Sequence, residues 1–241
     1  MRNIVACGDT VPVALQQRAK ELFGVHIREV YGMTEAVPLT LNPLGNVRAG
    51  SIGPAVANTS IRVVDCQDCD VEPGQIGEIV VCSPANCIGY WNDPEATARL
   101  FEGGWMHTGD LAWRDADGYY WFKGRLKQLI IRGGSNISPE EVEEALYRHP
   151  AVLEAGVIGL PDPVCGEVPV AFVVLREGHD LTEAKLLVHT RRLIADFKTP
   201  ERIFFIDNLP KGLTGKVDRR RLRDMMIAQP NFFEKDVEAR V

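Results

Sequence analysis

A carboxylate and a guanidinium stand at the two ends of a predicted β-hairpin near the middle of the chain. Asp110 sits at the end of one arm and Arg125 follows the other, with an Asp-Ala-Asp-Gly turn at 115–118 and an aromatic strand at 119–122 between them. Because a hairpin can bring the ends of its arms together, we expect these two side chains to line one cleft. A carboxylate can accept hydrogen bonds from two neighbouring hydroxyls, and a guanidinium can donate two parallel hydrogen bonds to a phosphate. The pair therefore suits a ligand in which a polyol is next to a phosphate.

Two other segments carry groups suited to phosphate chemistry. In residues 31–35, Tyr-Gly-Met-Thr-Glu, a hydroxyl can donate to a phosphate oxygen and a hard carboxylate oxygen can bind a hard cation such as Mg²⁺. In residues 214–216, Thr-Gly-Lys, the glycine permits a tight loop and the lysine ammonium is a point charge with three donors. Taken singly, Glu35 in a loop or Lys216 on a surface is more often a solvated side chain.

The order and spacing of these segments resemble the adenylate-forming superfamily, and more narrowly its AMP-forming acyl-CoA synthetases. The similarity extends from residue 4 to residue 223. The matching segments are Tyr-Gly-Met-Thr-Glu at 31–35, His-Thr-Gly-Asp at 107–110, Gly-Arg-x-Lys at 124–127, Arg-Gly-Gly at 132–134 and Thr-Gly-Lys at 214–216. Several ordered motifs at family-like spacing are a more specific signal than any one of them alone.

The resemblance implies a two-step reaction. In that family a carboxylic acid attacks the α-phosphate of ATP to give an acyl-adenylate and pyrophosphate, and the thiol of CoA then displaces AMP. The implied cofactors and co-substrates are therefore ATP, Mg²⁺ and CoA, and the implied substrate is a carboxylic acid.

The resemblance also implies which residues carry the reaction. Lys216 is the implied lysine of adenylation, Thr34 contacts the α-phosphate, and Glu35 helps to hold Mg²⁺. Gly133 and Gly134 match the turn that lines the tunnel for the pantetheine arm of CoA, where a side chain would obstruct the thiol.

The implied nucleotide site draws on several separate segments. In the family, the turns at residues 8–10 and 31–32 form the adenine pocket with the aromatic ring stacking on the base, while Asp110 and Arg125 hold the ribose and phosphate. Lys127 takes the hinge position at which the small C-terminal domain turns between the half-reactions. The full nucleotide-binding set is Gly8, Asp9, Thr10, Tyr31, Gly32, Thr34, Asp110, Arg125 and Lys127.

One motif of the family is missing from this sequence. The Ser/Thr/Gly-rich loop that cradles the β- and γ-phosphates normally precedes the first strand of this chain, together with about half of the protein. The chain is therefore interpreted as a C-terminal fragment or one part of a split enzyme, with a missing N-terminal half or a companion chain as its partner. We expect it to be inactive by itself. The alternatives are a non-catalytic module that binds nucleotide, CoA or a partner protein, and an adenylating enzyme with another acceptor.

Hydrophobic periodicity predicts three structural units: an α/β part, a β-rich subdomain and a small α+β C-terminal domain. The first opens with a strand at 4–7, a helix that ends at Gly24 and a strand at 25–30. The predicted boundaries are 1–50 for the α/β tail and 51–124 for the β-rich subdomain, and the resemblance implies a hinge at 125–127 and a mobile lid at 128–241. In the last unit, Ser138, Thr182 and Asp218 are the predicted helix N-caps, and the second of these helices is expected to reach residue 197.

Composition excludes several classes of protein. The 241 residues carry a net charge of −6, which argues against a surface that binds nucleic acid along its whole extent. No apolar run approaches the roughly 20 residues that span a bilayer, and residues 1–11 lack the pattern of a signal peptide. The expected location is cytoplasmic.

Two further features, a group of cysteines and a run of arginines, each have a functional and a simpler interpretation. Four cysteines, Cys66, Cys69, Cys82 and Cys87, could form a thiolate zinc site, although free thiols are the simpler interpretation. The arginine run at 219–223 is interpreted as a solvated helix face, because no interleaved aromatic residues support a nucleic-acid patch.

Overall fold

The computed structural model describes residues 3–228 of the 241, with side chains as far as Met226. The chain divides into two compact units, Met1–Gln128 (unit 1) and Leu129–Val241 (unit 2). The predicted domains include residues 1–2 and 229–241, which lie outside the described residues. No helix within residues 3–228 is long and apolar enough to cross a membrane.

Unit 1 opens with the predicted strand–helix–strand arrangement. Strand β1 (Ile4–Cys7) pairs in parallel with β2 (Ile27–Met33), and helix α1 (Val13–Phe23) connects them. The helix ends as predicted at Gly24, whose φ of 68° is a left-handed conformation that favours glycine. The second strand is longer than predicted, because after its pairing with β1 it continues and folds back as the unpredicted strand β3 (Ala36–Leu41).

A second sheet in unit 1 has four antiparallel strands, which lie side by side in chain order. Helix α2 (Pro94–Leu100) begins after Asp93, whose carboxylate accepts from the N–H of Ala96, so the predicted helix start is confirmed. A 3₁₀ turn, Leu126–Gln128, ends the unit. The strands are β4 (Ser60–Val64), β5 (Gly77–Cys82), β6 (Met106–Arg114) and β7 (Tyr120–Arg125).

Both sheets of unit 1 bury their side chains in one hydrophobic core. Tyr31 and Leu39 from the first sheet belong to the same buried cluster as Ile79, Val81 and Met106 from the second. The predicted division at residue 50 is therefore not a division between compact units. The division after Gln128 directly follows the predicted hinge at 125–127, whose motion remains a prediction.

The strand register of the second sheet separates the two pairs of cysteines. Ser60 pairs with Cys82 at one end of the β4–β5 ladder, and Val64 pairs with Glu78 at the other. Val64 is four residues from Ser60, or about 13 Å along the ladder at ~3.3 Å per strand residue, and Cys66 and Cys69 lie still further from Cys82. The alternative of a four-thiolate zinc site is therefore wrong. Within residues 3–228, no group of three or more His, Cys, Asp and Glu side chains is arranged to hold a metal ion.

Unit 2 is a mixed sheet with helices on both of its faces. Its strands are β8 (Ile130–Arg132), β9 (Ser135–Ile137), β10 (Val152–Asp162), β11 (Gly166–Leu175) and β12 (Arg202–Phe205). They follow the order β10-β11-β8-β9 in the sheet, and β12 pairs in parallel with β11. Its helices are α3 (Pro139–Tyr147), α4 (Glu183–Arg191) and α5 (Arg219–Ala228).

The long strands of unit 2 are apolar on both faces because both faces are covered. Alternate residues of β10 and β11 enter one buried cluster with α3 and α4, and the residues between them enter a second cluster with α5. Val157 and Ile158, which are adjacent in β10, show this division between the two clusters.

Three predicted helix starts in unit 2 are confirmed. The hydroxyls of Ser138 and Thr182 and the carboxylate of Asp218 each accept from a backbone N–H in the first turn of α3, α4 and α5. The end of α4 was predicted wrongly. It stops at Arg191 rather than residue 197, because the chain leaves the helix through i→i+3 hydrogen bonds such as Leu193 N–H to the Thr190 carbonyl.

The interpretation of the arginine run as a solvated face is wrong for Arg219, which is half-buried, whereas Arg223 is exposed. Arg219 binds Glu143 at 2.8 Å and Glu140 at 3.1 Å, and it also donates to the Val157 carbonyl. Arg223 donates to the carbonyl of Gly159. These contacts tie α5 to α3 and β10, which a helical pattern alone does not reveal. Burial raises the pKa of Glu143 to about 7, even though Arg219 acts to lower it.

This pair predicts a pH-dependent stability for unit 2. A carboxyl group whose pKa rises on folding binds its proton more tightly in the folded state, so its contribution to stability falls as pH rises towards 7. Arg219→Met removes the charge that offsets burial, so the variant should lose about 2–4 kcal/mol at pH 8 and clearly less near pH 5.

Urea unfolding at both pH values measures this effect. All four tryptophans, Trp91, Trp105, Trp113 and Trp121, lie in unit 1, so tryptophan fluorescence monitors unit 1. A change in circular dichroism without a change in fluorescence is therefore assigned to unit 2. Arg221→Met is the matched control, since the Arg221 side chain is 66% exposed. Equal destabilisation by Arg219→Met at both pH values would contradict the prediction.

Candidate functional site

Asp110 is the centre of the candidate site in unit 1. Its side chain is only 1% exposed, and Arg125, which is 47% exposed, forms an ion pair with it, with Nε 2.8 Å from Asp110 Oδ1. Tyr31 donates from its hydroxyl to Asp110 Oδ2 at 2.8 Å. The prediction that the polar ends of Asp110 and Arg125 converge is therefore confirmed, and Tyr31 joins them from a segment 79 residues away.

The β6–β7 ladder brings the first two residues together. Asp110 pairs directly with Arg125 where the ladder ends, although β6 itself extends back to Met106. Asp110 is thus at the end of the hairpin, as predicted, but in the middle of its strand.

Tyr31 is a neutral donor in this cluster. Burial, followed by the charge of Asp110, raises the pKa of its phenol well above the usual range. The ring lies 6.4 Å from that of Phe122, and Tyr31 as a residue is 9% exposed, so it belongs to the core. Stacking on a nucleotide base would use the part of the ring that stays open, and it remains a prediction.

An irregular stretch of β6 determines where the Asp110 carboxylate points. Residues 108–110 together face Ile79, and Gly109 has a φ of 69°. Thr108 Oγ1 donates to the Ile79 carbonyl at 2.7 Å and accepts from the Asp110 N–H at 3.1 Å. A bulge of this kind redirects side chains locally, and here it places the carboxylate beside Tyr31.

The β1–β2 edge places the predicted adenine turn beside Tyr31. Parallel pairing ends at Cys7 and Val30, so residues 8–10 follow β1 at the position where Tyr31 follows Val30. Thr10 donates its N–H to Asp9 within this exposed turn. The prediction that Tyr31 and Gly32 form a turn at the end of the strand is wrong, because both lie within β2.

Close packing explains the glycine at position 32. A Cβ on Gly32 would lie 2.8 Å from the Val37 side chain and 3.0 Å from the Ala36 carbonyl oxygen. The turn that follows, between β2 and β3, carries Thr34 and Glu35. Thr34 is exposed and Glu35 is half-buried.

Glu35 has a partner that sequence reasoning missed. The hydroxyl of Tyr90 donates to Glu35 Oε1 at 2.6 Å, and the Cys87 N–H donates to the Glu35 carbonyl at 2.7 Å. The hydrogen bond to Glu35 raises the pKa of Tyr90 to about 12. An aromatic Gly-Tyr-Trp run at 89–91 was visible in the sequence, but nothing local connects it with a residue 55 positions earlier.

The remaining predicted residues lie on exposed turns. Lys127 is exposed in the 3₁₀ turn at the end of unit 1. In unit 2, Gly133 and Gly134 form the two-residue turn between β8 and β9 with φ values of 55° and 82°, which requires glycine-like residues. A Cβ on either would meet nothing within 4 Å, so their predicted role towards CoA is not tested by local packing.

Lys216 sits at the base of a tight loop in unit 2. The Gly212 N–H donates to the Lys216 carbonyl at 2.8 Å, and Gly215 has a φ of 81°. Lys211 and Val217 pair on either side of this loop. The backbone is therefore fixed while the Lys216 side chain is exposed, which suits a cation that reaches towards a phosphate.

Two sequence profiles identify the family to which this chain belongs. A sequence profile of the AMP-binding enzyme family matches residues 1–91, and a profile of the AMP-binding enzyme C-terminal domain matches residues 141–216. The chain belongs to the AMP-binding enzyme family, which confirms the resemblance and the expected fold.

Similar proteins are CoA ligases that act on different acids. The chain is 46% identical to a sulfoacetate–CoA ligase of Cupriavidus necator over 204 residues, covering 83% of this chain and 40% of that protein. It is 41% identical to a long-chain-fatty-acid–CoA ligase of Yersinia pestis over 226 residues, covering 93% of this chain and 40% of that protein. The chain thus spans less than half the length of these curated relatives.

A solved structure supports the same fold. The crystal structure of the anthranilate CoA ligase AuaEII in complex with anthranoyl-AMP superimposes with a TM-score of 0.87 at 37% identity. The match covers 93% of this chain and 44% of that one.

Proposed function

We propose that this chain is part of an AMP-forming carboxylic acid–CoA ligase. Unit 1 would hold the nucleotide through Asp110, and unit 2 would supply Lys216 and the Gly133-Gly134 turn. The observation that carries the proposal is the buried Asp110 carboxylate with Tyr31 and Arg125 bound to it.

The Asp110 carboxylate has the chemistry to hold a ribose. An ionised carboxylate offers about four acceptor sites, and Tyr31 and Arg125 each approach a different oxygen. The Asp110 side chain is 1% exposed, whereas the Arg125 side chain beside it is 47% exposed. Ribose hydroxyls would therefore reach the Asp110 carboxylate after the Arg125 side chain moves aside. Arg125 can then turn its fork towards the neighbouring phosphate.

Glu35 fits the proposed role at Mg²⁺. Protein sites for Mg²⁺ commonly use one or two carboxylates together with substrate phosphates, and Glu35 offers one carboxylate held in place by Tyr90. When bound, the ion would neutralise charge on the phosphates. Thr34, which precedes Glu35 on the same turn, would donate its hydroxyl to the α-phosphate.

Lys216 would act in the first half-reaction and the Gly133-Gly134 turn in the second. A carboxylate that attacks a phosphate meets strong negative charge, so a preorganised cation such as Lys216 stabilises the adenylation transition state. The Gly133-Gly134 turn presents no side chain and would admit the CoA thiol in the second step.

An exposed apolar surface on unit 1 supports the proposal of a missing partner. Val5 on the edge strand β1 is 51% exposed, and Leu15, Leu22 and Phe23 on α1 are 53–61% exposed. Parallel strands are usually covered on both faces. We propose that a further segment or companion chain, carrying the phosphate-binding loop, covers this surface.

Acid-dependent exchange of pyrophosphate into ATP tests the proposed function. The purified chain alone should show no exchange, or only a trace, because the phosphate-binding loop and most of the acid pocket are absent. Exchange should appear when the remaining part of a curated relative is supplied, with sulfoacetate, long-chain fatty acids and anthranilate as the first acids tried.

Each outcome of this assay separates the alternatives. Robust exchange by the chain alone, surviving a check for contaminating ligase, would overturn the expected inactivity. Exchange without CoA thioester formation would point to another acceptor. Nucleotide binding without exchange for any acid, in an assembly shown to form, would favour the non-catalytic binding module.

A further inference from the structure

The irregular stretch of β6 contains two more residues than its partner strand. Val80 pairs with His107 and Glu78 pairs with Leu111, so Ile79 alone faces residues 108–110. Extra residues in one strand interrupt its ladder hydrogen bonds, so the backbone groups of the bulge need other partners. The carboxylate of Asp110 depends on this conformation, because Asp110 is its last residue.

Glu78 supplies one of these partners and contacts the bulge at two points. Its Oε1 accepts from the Gly109 N–H at 2.9 Å. Its Oε2 lies 3.1 Å from His107 Nδ1. A single carboxylate therefore connects the residue before the bulge with the residue at its centre.

The surroundings of His107 favour one arrangement of this contact. The side chains of Glu78 and His107 are each 18% exposed, which limits competition from water. An ionised carboxylate only accepts hydrogen bonds, so His107 donates from Nδ1 to Glu78. Asp68 lies 3.8 Å from His107 Nε2 and adds a second negative charge on the other side of the ring.

We propose that Glu78 is a positioning residue for nucleotide recognition. By fixing His107 and Gly109, it holds the bulge in the conformation that aims the Asp110 carboxylate at the two ribose hydroxyls. Glu78 itself touches no ligand. This inference rests on the proposed function, since it assumes that Asp110 binds ribose.

Comparison of AMP with 2′,3′-dideoxy-AMP isolates this effect. The dideoxy nucleotide lacks the hydroxyls that Asp110 would bind. The ratio of the two affinities therefore reports whether the Asp110 carboxylate is oriented towards the ribose hydroxyls, and not whether the site as a whole is intact. NMR titration of the 241-residue chain with each nucleotide measures the ratio. The wild-type chain should prefer AMP by about 10²-fold, as expected for two hydrogen bonds to a charged group.

Glu78→Ala should abolish most of this preference while leaving the affinity for dideoxy-AMP unchanged. Glu78→Gln should retain much of it, because the amide oxygen still accepts from the Gly109 N–H. Glu72→Ala is the control, since Glu72 is exposed on the β4–β5 loop. If Glu78→Ala does not fold, His107→Ala removes only one of the two contacts and should reduce the preference partially.

Three results would overturn the inference. An unchanged preference in both Glu78→Ala and His107→Ala means that Glu78 does not aim Asp110. An equal loss of affinity for both nucleotides means that Glu78 supports the fold alone. A wild-type chain that binds AMP no better than dideoxy-AMP refutes the ribose site itself, and this failure of the proposed function is recognised before any variant is made.

Discussion

Lys216→Ala in the assembled enzyme is expected to reduce acyl-adenylate formation by on the order of 10²–10³, the usual effect of losing one preorganised charge. Thioester formation from supplied acyl-adenylate should remain largely intact. Under the proposed function, the lysine charge is needed when a carboxylate meets the α-phosphate, whereas the second step would rely on the Gly133-Gly134 turn. Measuring the two half-reactions separately tests this difference.

The loop around Lys216 offers a matched control. Lys211, on the other side of the same loop, is 46% exposed and forms a surface ion pair with Glu154. Lys211→Ala should therefore change neither half-reaction, because such pairs contribute about 1 kcal/mol or less to stability. If Lys216→Ala slows both half-reactions equally, the lysine has a structural role or serves both steps. If it slows neither, Lys216 is an ordinary surface lysine.

Asp110→Asn is expected to weaken nucleotide binding by about 10²-fold or more, because two ribose hydroxyls lose a charged acceptor worth about 1.5 kcal/mol each. The fold should tolerate the change. The amide oxygen can accept from Arg125, and the amide nitrogen can donate to the Tyr31 hydroxyl, which reverses the direction of the bond seen here.

Titration with AMP and thermal unfolding together test this second prediction. Asp117→Asn is the control, since the Asp117 carboxylate is 69% exposed and its ion-pair partner Arg48 also pairs with Asp115. Unchanged AMP affinity in Asp110→Asn would remove Asp110 from the nucleotide site. A large loss of thermal stability would show instead that Asp110 mainly supports the core of unit 1.

The sequence by itself determined those features whose partners lie close together in the chain. The caps at Ser138 and Asp218, the end of α1 at Gly24 and the turn at 115–118 all use contacts within about one helical turn, so the residue types carry the signal directly. The convergence of Asp110 and Arg125 was accessible for the same reason, because one hairpin joins them.

Tertiary structure decided the features whose partners are far apart in sequence. Tyr31 meets Asp110 across 79 residues, Glu35 meets Tyr90 across 55, and Gly109 meets Glu78 across 31. Such contacts depend on strand register and on which sheets share a core, and neither is encoded by local propensity. Arg219, a surface residue by helical pattern, became part of a partly buried ion pair with Glu143 only because α5 packs on β10.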